Sequence, residues 1–284
     1  MLFRSNPQYS SLYGWFSNGN SSYNAGQFSL RHREAHGLVF DVNYTYSRSI
    51  DQGSNAERIN QFEGGGFASQ VINSWFPKQL RAVSDFDTTH AINANWVYEL
   101  PFGHGKAYGG GVGRLANQVI GGWRVSGLWR WSSGYPFTVS SGFGWATNFE
   151  EESAAILNGT KPETGTFVPP GSTPNVFKNA LNGPNAAIAQ FRQAFPGESG
   201  QRNELRGPGT FNIDVGLSKS WNIRESQEVK FTWENFNLTN SPRFDVGTMQ
   251  LSGNNSISNN TNFGNFASTL SNPRVMEFAL RYAF

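Results

Sequence analysis

Apolar and polar residues alternate with a period of two along much of this chain. In the closing stretch VMEFALRYAF, Met276, Phe278, Leu280, Tyr282 and Phe284 share one side, and Glu277, Ala279, Arg281 and Ala283 the other. That period marks an extended strand whose two faces meet different environments. The same pattern recurs upstream. In GLVFDVNYTYSRS, Leu38, Phe40, Val42, Tyr44 and Tyr46 oppose Asp41, Asn43, Thr45 and Ser47; in HAINANWVYEL, Ile92, Ala94, Trp96, Tyr98 and Leu100 oppose Asn93, Asn95 and Glu99. GGWRVSGLWRWSSGYPFTV carries Trp123, Val125, Trp129, Trp131, Tyr135, Phe137 and Val139 on one face. Its other face has Arg124, Ser126 and Arg130, with Leu128 as the exception. FNIDVGLSKSW sets Phe211, Ile213, Val215, Leu217 and Trp221 against Asn212, Asp214 and Ser218. In VKFTWENFNL, Val229, Phe231 and Trp233 alternate before Phe236 and Leu238 change phase, as at a bulge or a strand end. Weaker signals lie at 9–17 and 22–33, which makes about eight strands.

The connections carry the second signal. NGNS, HREAHG and NIRESQE are short, PFGHGKAYGGGVGRLANQ is a glycine-rich turn of moderate length, and 49–88, 141–210 and 240–274 are long. Beyond the first connection, long loops fall on one side and shorter turns on the other. Outer-membrane β-barrels have this asymmetry, with long loops outside and short turns in the periplasm. Within 141–210, NAAIAQFRQAF predicts a short helix with Ile188, Phe191 and Phe195 on one face, ended by Pro196-Gly197.

Composition agrees with strands that cross a membrane. Mean hydropathy is negative, and no apolar run is long enough for a spanning helix. Alternating strands average out to polar while still crossing an apolar layer of about 25 Å. Aromatic residues make up 15% of the chain, as interfacial girdles require. A soluble β-sandwich would show Val/Ile/Leu-rich inner faces and uniformly short turns. The absence of cysteine excludes disulfides and thiolate metal sites, and a net charge of +2 gives no electrostatic case for nucleic acid. The start, MLFRSNPQYSSLYGWFS, lacks the basic, apolar and small-residue order of a signal peptide. The expectation is therefore an all-β, antiparallel transmembrane barrel segment spanning 1–284; without a signal peptide, either the chain is the C-terminal part of a longer protein or the barrel reading fails.

Several stretches carry a family resemblance: SSYNAGQFSLRHREAHGLVFDVNYTYSRSIDQGS, SDFDTTHAINANWVYELPFG, GGWRVSGLWRWSSGYPFTV, RGPGTFNIDVGLSKSW, VKFTWENFNLTNSPRF and the terminal RYAF. In this order the chain resembles the C-terminal barrel of TonB-dependent outer-membrane receptors of the Oar-like group, whose members carry a carboxypeptidase-regulatory-like domain. The resemblance implies a barrel of about 22 strands, with a plug and signal peptide outside this chain. It implies uptake or export of a substrate captured by the long loops, powered by the TonB complex through the plug. The expected partners are outer-membrane lipids, the plug and remaining barrel, and the barrel-assembly machinery. That machinery would read the terminal strand through Phe278, Leu280, Tyr282 and Phe284. No cofactor is implied. The alternative is a self-contained eight-stranded barrel with an anchoring or adhesin-like role.

Candidate chemistry is sparse. His32, His36, His90 and His104 are scattered over turns and strand ends, without metal-site spacing on a helix. SDFDTTH gathers Asp85, Asp87 and His90, the types that activate water in rim-site proteases. A loop-capping role for these residues fits at least as well, and no enzyme is expected. GGGVGR is not flanked by a strand and a helix in a βαβ unit, so it reads as a turn rather than a phosphate loop. Arg124, Arg130, Asp214, Lys219, Lys230, Glu234 and Arg281 are expected to face the lumen. Trp123, Trp221, Tyr282 and Phe284 should form the periplasmic aromatic girdle, with Trp131, Tyr44 and Tyr46 higher up.

Overall fold

The computed structural model describes residues 19–54, 76–144, 152–224 and 227–284. Seven long strands form one antiparallel sheet in chain order. They are β1 (Ser22–Ala35), β2 (Leu38–Asp51), β3 (His90–Glu99), β4 (Trp123–Ser132), β5 (Thr210–Arg224), β6 (Gln227–Phe236) and β7 (Val275–Ala283). An eighth, short strand, Ala82–Val83, pairs with the end of β2. The weak signal at 22–33 thus becomes β1, one of the longer strands. The one at 9–17 lies outside the described residues. Among the described residues β1 and β7 each pair on one side only, so the sheet is open.

Register keeps the sequence alternation coherent across the sheet. One row runs Phe28, Tyr44, Ile92, Trp131 and Phe211; another runs His32, Phe40, Trp96, Gly127 and Val215. Every member is on the apolar face, because a ladder in register puts like parities side by side. Gly127 is required here. The Trp96 ring lies where its side chain would be, and a Cβ would sit 2.1 Å from that ring. The β1–β2 turn is His36-Gly37, both with positive φ. That mirror-image turn matches the twist of the flanking strands.

The strand ends divide into two sets. Turns 36–37 and 100–122 lie at one end with the C-terminus, as do the end of β5 and the start of β6. The described parts of segments 52–89 and 133–209, and segment 237–274, lie at the other. The glycine-rich turn holds a helix, α1 (Arg114–Ile120), which the run of glycines concealed.

Most of the buried apolar core is in the loops, not against the sheet. Phe137, Val139, Val176, Phe177, Phe191 and Leu205 from 133–209 pack with Val246, Met249, Phe263 and Phe266 from 237–274. Phe177 stacks on Phe263 at 5.0 Å, edge-on to Phe137 and Phe191. Backbone bonds sew the two loops together. Ile257 N donates to Ser140 O, Val176 N to Gly264 O and Phe266 N to Pro174 O. The loops thus form a cap with secondary structure of its own, and the cap corrects three sequence expectations. Phe137 and Val139 leave the wall after β4 ends at Ser132 and enter the cap core. The helix expected through Phe195 spans only Pro184–Ile188, α2. After it, Phe191–Arg192 pairs as a strand with Ile156–Leu157. Phe191 is then buried and Phe195 exposed, because the extended pair puts Phe191 into the cap core and Phe195 lies beyond it.

Candidate functional site

The polar face of the sheet brings the hydrophilic residues into rows. Ser29, Asn43, Asn93, Arg130 and Asn212 lie side by side across β1 to β5. Next to them run Arg31, Asp41, Asn95, Leu128 and Asp214. Some charges pair locally. Arg31 Nε donates to Asp41 Oδ2 at 2.7 Å, and Arg124 Nη2 to Glu99 Oε1 at 2.6 Å. Others do not. Glu234 faces Glu277 and Lys230 faces Arg281 across the β6–β7 ladder. Like charges placed directly opposite destabilise a sheet. Such pairs persist where solvent or another surface offsets them.

Under the cap, the polar face opens into a cavity of about 160 Å³ lined by Asn93, Arg130, Ser132, Thr210, Asn212 and Arg243. Strand register brings Arg130 there, and the loop after β6 supplies Arg243. The Arg243 Nε is buried without a hydrogen-bond partner among the described residues. Two guanidiniums beside carboxamides and hydroxyls make a donor set of the kind that holds carboxylate or phosphate oxygens. A neighbouring cavity shares Asn212 and Arg243 and adds Asp214, Asn237, Ser271 and Asn272.

A second cluster fixes the cap to the wall. Arg202, largely buried, donates to Asp85 Oδ1 at 2.7 Å and to Asp51, and its Nε reaches the Leu80 carbonyl at 3.2 Å. Asn203 donates from Nδ2 to Asp85 Oδ1 at 2.6 Å and to the Val83 carbonyl at 2.8 Å. Arg206 bonds Asp87, whose 1% exposed side chain also accepts from Ser49 N at 2.6 Å. His90 lies apart, on the apolar face, with Nδ1 bonded to the Tyr44 hydroxyl at 2.8 Å. Asp85, Asp87 and His90 are therefore engaged separately, and no shared water-activating geometry joins them. Within the cap, Arg192 donates twice to Glu198 at 2.8 Å, and Phe195 N donates to it at 2.9 Å. The Arg192 guanidinium and then that amide hold the Glu198 carboxyl down at about 2, and Glu198 raises Arg192 in turn.

Of the residues expected to face the lumen, Arg124, Arg130, Asp214, Lys230, Glu234 and Arg281 lie on the polar face. Lys219 does not. It pairs with Trp123 and Phe231 in an apolar row, because its parity matches Leu217 and Trp221. Its ammonium is only 2% exposed at the residue level and lies 5.2 Å over the Trp123 ring and 5.4 Å over Trp221. Trp123, Trp221, Tyr282 and Phe284 sit at the turn end; Trp131, Tyr44 and Tyr46 sit at the loop end. Phe278, Leu280, Tyr282 and Phe284 are all strongly exposed on the edge strand or just beyond it. His32 stacks on Phe40 at 5.1 Å, His36 forms the tight turn, and His104 N donates to Asn117 Oδ1 at 2.7 Å. Arg202, Asn203 and Arg243 escaped the sequence reading. For the first two, the charge-rich run QRNELR just before β5 was the available signal.

An open wall with one apolar and one polar face, aromatic at its ends and capped by long loops, is the geometry of a membrane β-barrel. No curated protein and no solved structure matches the chain. Residues 2–277 match the family model of the outer membrane beta barrel domain. The chain belongs to that family, and its place is the outer membrane.

Proposed function

We propose that this chain is part of the wall and outer cap of a TonB-dependent, Oar-like receptor that moves a substrate across the outer membrane. The observation that carries the reading is the state of the polar face. Glu234 and Glu277, and Lys230 and Arg281, oppose like charge. None of these four makes an ion pair among the described residues. A small closed barrel fills its interior with interlocking side chains of its own. A wide barrel holding a plug leaves such charges for the plug. In this arrangement, the short-turn end faces the periplasm and the cap faces outward. The cap captures the substrate, the cationic cavity beneath it meets an acidic group first, and the plug couples passage to the inner-membrane motor.

The experiment is to translate the genomic DNA in frame upstream of the Met1 codon. A plug domain preceded by a signal peptide is the expected result. An in-frame stop or an unrelated gene would overturn the reading and leave the anchoring, eight-stranded barrel in its place.

A further inference from the structure

The turn between β3 and β4 folds onto the apolar side of the wall. Helix α1 is only two turns long, and its last carbonyls have no partners within the helix. Three side chains from the apolar face supply them. Trp123 Nε1 donates to Val119 O at 2.8 Å, and Trp221 Nε1 to Gln118 O at 2.8 Å. The Lys219 ammonium donates to Val119 O at 3.2 Å and to Gly121 O. A cation at a helix C-terminus is also favoured by the aligned peptide dipoles. This explains how a lysine can occupy an otherwise apolar row: its charge is spent on backbone carbonyls and two indole faces. The helix is thereby pinned beside the lipid-facing surface, at the level of the aromatic residues.

Asn117 turns inward, accepting from His104 N. Leu115 and Val119, four residues apart and so on one stripe, are 87% and 68% exposed. Nothing among the described residues covers them. The stripe belongs to a helix pinned to the apolar wall by Trp123, Lys219 and Trp221, and the basic Arg114 stands next to it in sequence. An apolar stripe with a basic neighbour, held at the aromatic level of a membrane wall, matches a helix lying in the headgroup–acyl boundary.

We infer that α1 is an interfacial foot seated in the periplasmic leaflet, with Leu115 and Val119 in phospholipid and Lys219 as its pin. The inference uses the family's membrane location and does not depend on the transport reading. The chain has no cysteine, so single nitroxide labels can be placed without background within it. Labels at Leu115→Cys, Leu280→Cys on the wall and Ser172→Cys in the cap are compared in outer membranes carrying the full-length protein. Collision rates with molecular oxygen and with a water-soluble nickel chelate are the readout. Leu115 should resemble Leu280, with oxygen collisions several-fold above nickel collisions, and Ser172 should show the reverse. A Leu115 label as open to nickel as Ser172 would overturn the inference. A water-exposed Leu280 would overturn the wall assignment beneath it. Adding Lys219→Met should narrow the Leu115 spectrum as the helix loosens; an unchanged spectrum would remove Lys219 as the pin.

Discussion

Replacing Arg202 by methionine should open the cap while leaving the wall intact. Arg202 joins the 133–209 segment to the end of β2 and to the segment before β3 through Asp51, Asp85 and the Leu80 carbonyl. Its side chain is 9% exposed, as is that of Asp51, whereas Asp85 is 26% exposed. Removing one partner from a buried pair costs about 3–5 kcal/mol, because a charge remains without compensation. The partial exposure of Asp85 favours the lower end. A loss of about 3 kcal/mol is roughly a hundredfold in the opening equilibrium. The assay is amide hydrogen exchange by mass spectrometry on the protein in outer membranes. Peptides from 152–206 should lose about two decades of protection relative to the parent protein. Peptides from β3 and β4 should not change, since their ladders do not involve the latch. Adding Asp51→Asn and Asp85→Asn removes the stranded charges and should restore most of the protection. If the single variant exchanged like the parent, or the triple variant stayed as open as the single one, the reasoning would fail.

Phe177→Ala removes the ring at the centre of the cap core and should cost about 3–5 kcal/mol. Cleavage of the cap by added protease should rise, with the heat-modified gel migration of the barrel unchanged. Gly127→Ala drives a methyl into the Trp96 ring and should destabilise the wall by about 1–3 kcal/mol, seen as a lower urea midpoint. Trp96→Ala in the same chain should relieve that clash. The Arg192–Glu198 pair gives the cap an acid limit. Glu198 titrates at about 2 in the folded protein against an ordinary 4.5. Its stabilisation is therefore complete above 4.5 and lost as pH falls through 2. Exchange near 193–198 should accelerate across that window, and Glu198→Gln should flatten the dependence.

How much was legible in the sequence differs between wall and cap. Wall strands meet lipid on one face and a polar space on the other, so the solvent imposes the period directly. Residues 229–233 show it without exception, and 38–46 and 92–98 break it only at Val39 and Val97, which pair with each other across the ladder. The β1 signal was weaker because Gln27, Ser29 and Arg31 alternate with only Phe28, Leu30 and His32. Lys219 breaks the rule that charges face inward, since its parity puts it on the apolar face; only the three-dimensional position of the α1 carbonyls shows why it is tolerated. The cap was read as loops because its ladders are two to five residues long, too short to show any period. The partners of Phe177 lie up to 86 positions away at Phe263, beyond any local pattern. The cationic cavity was half visible. Arg130 stood out on its strand, and Arg243 did not, since only the path of the 237–274 segment brings it there.

The shared core of the cap has a consequence for how such a protein can change over time. Segments 133–209 and 237–274 are separated in the chain by the β5–β6 hairpin, yet they bury one set of rings between them. Neither can be exchanged, lengthened or trimmed alone without leaving the other's apolar surface bare. Variation in what the outer surface captures should therefore be inherited as a cassette running from the end of β4 to the start of β7, the hairpin included. Recombination breakpoints are expected at those two strands. Related sequences should show matched changes at positions such as Phe177 and Phe263, and independent drift in the turns at the opposite end.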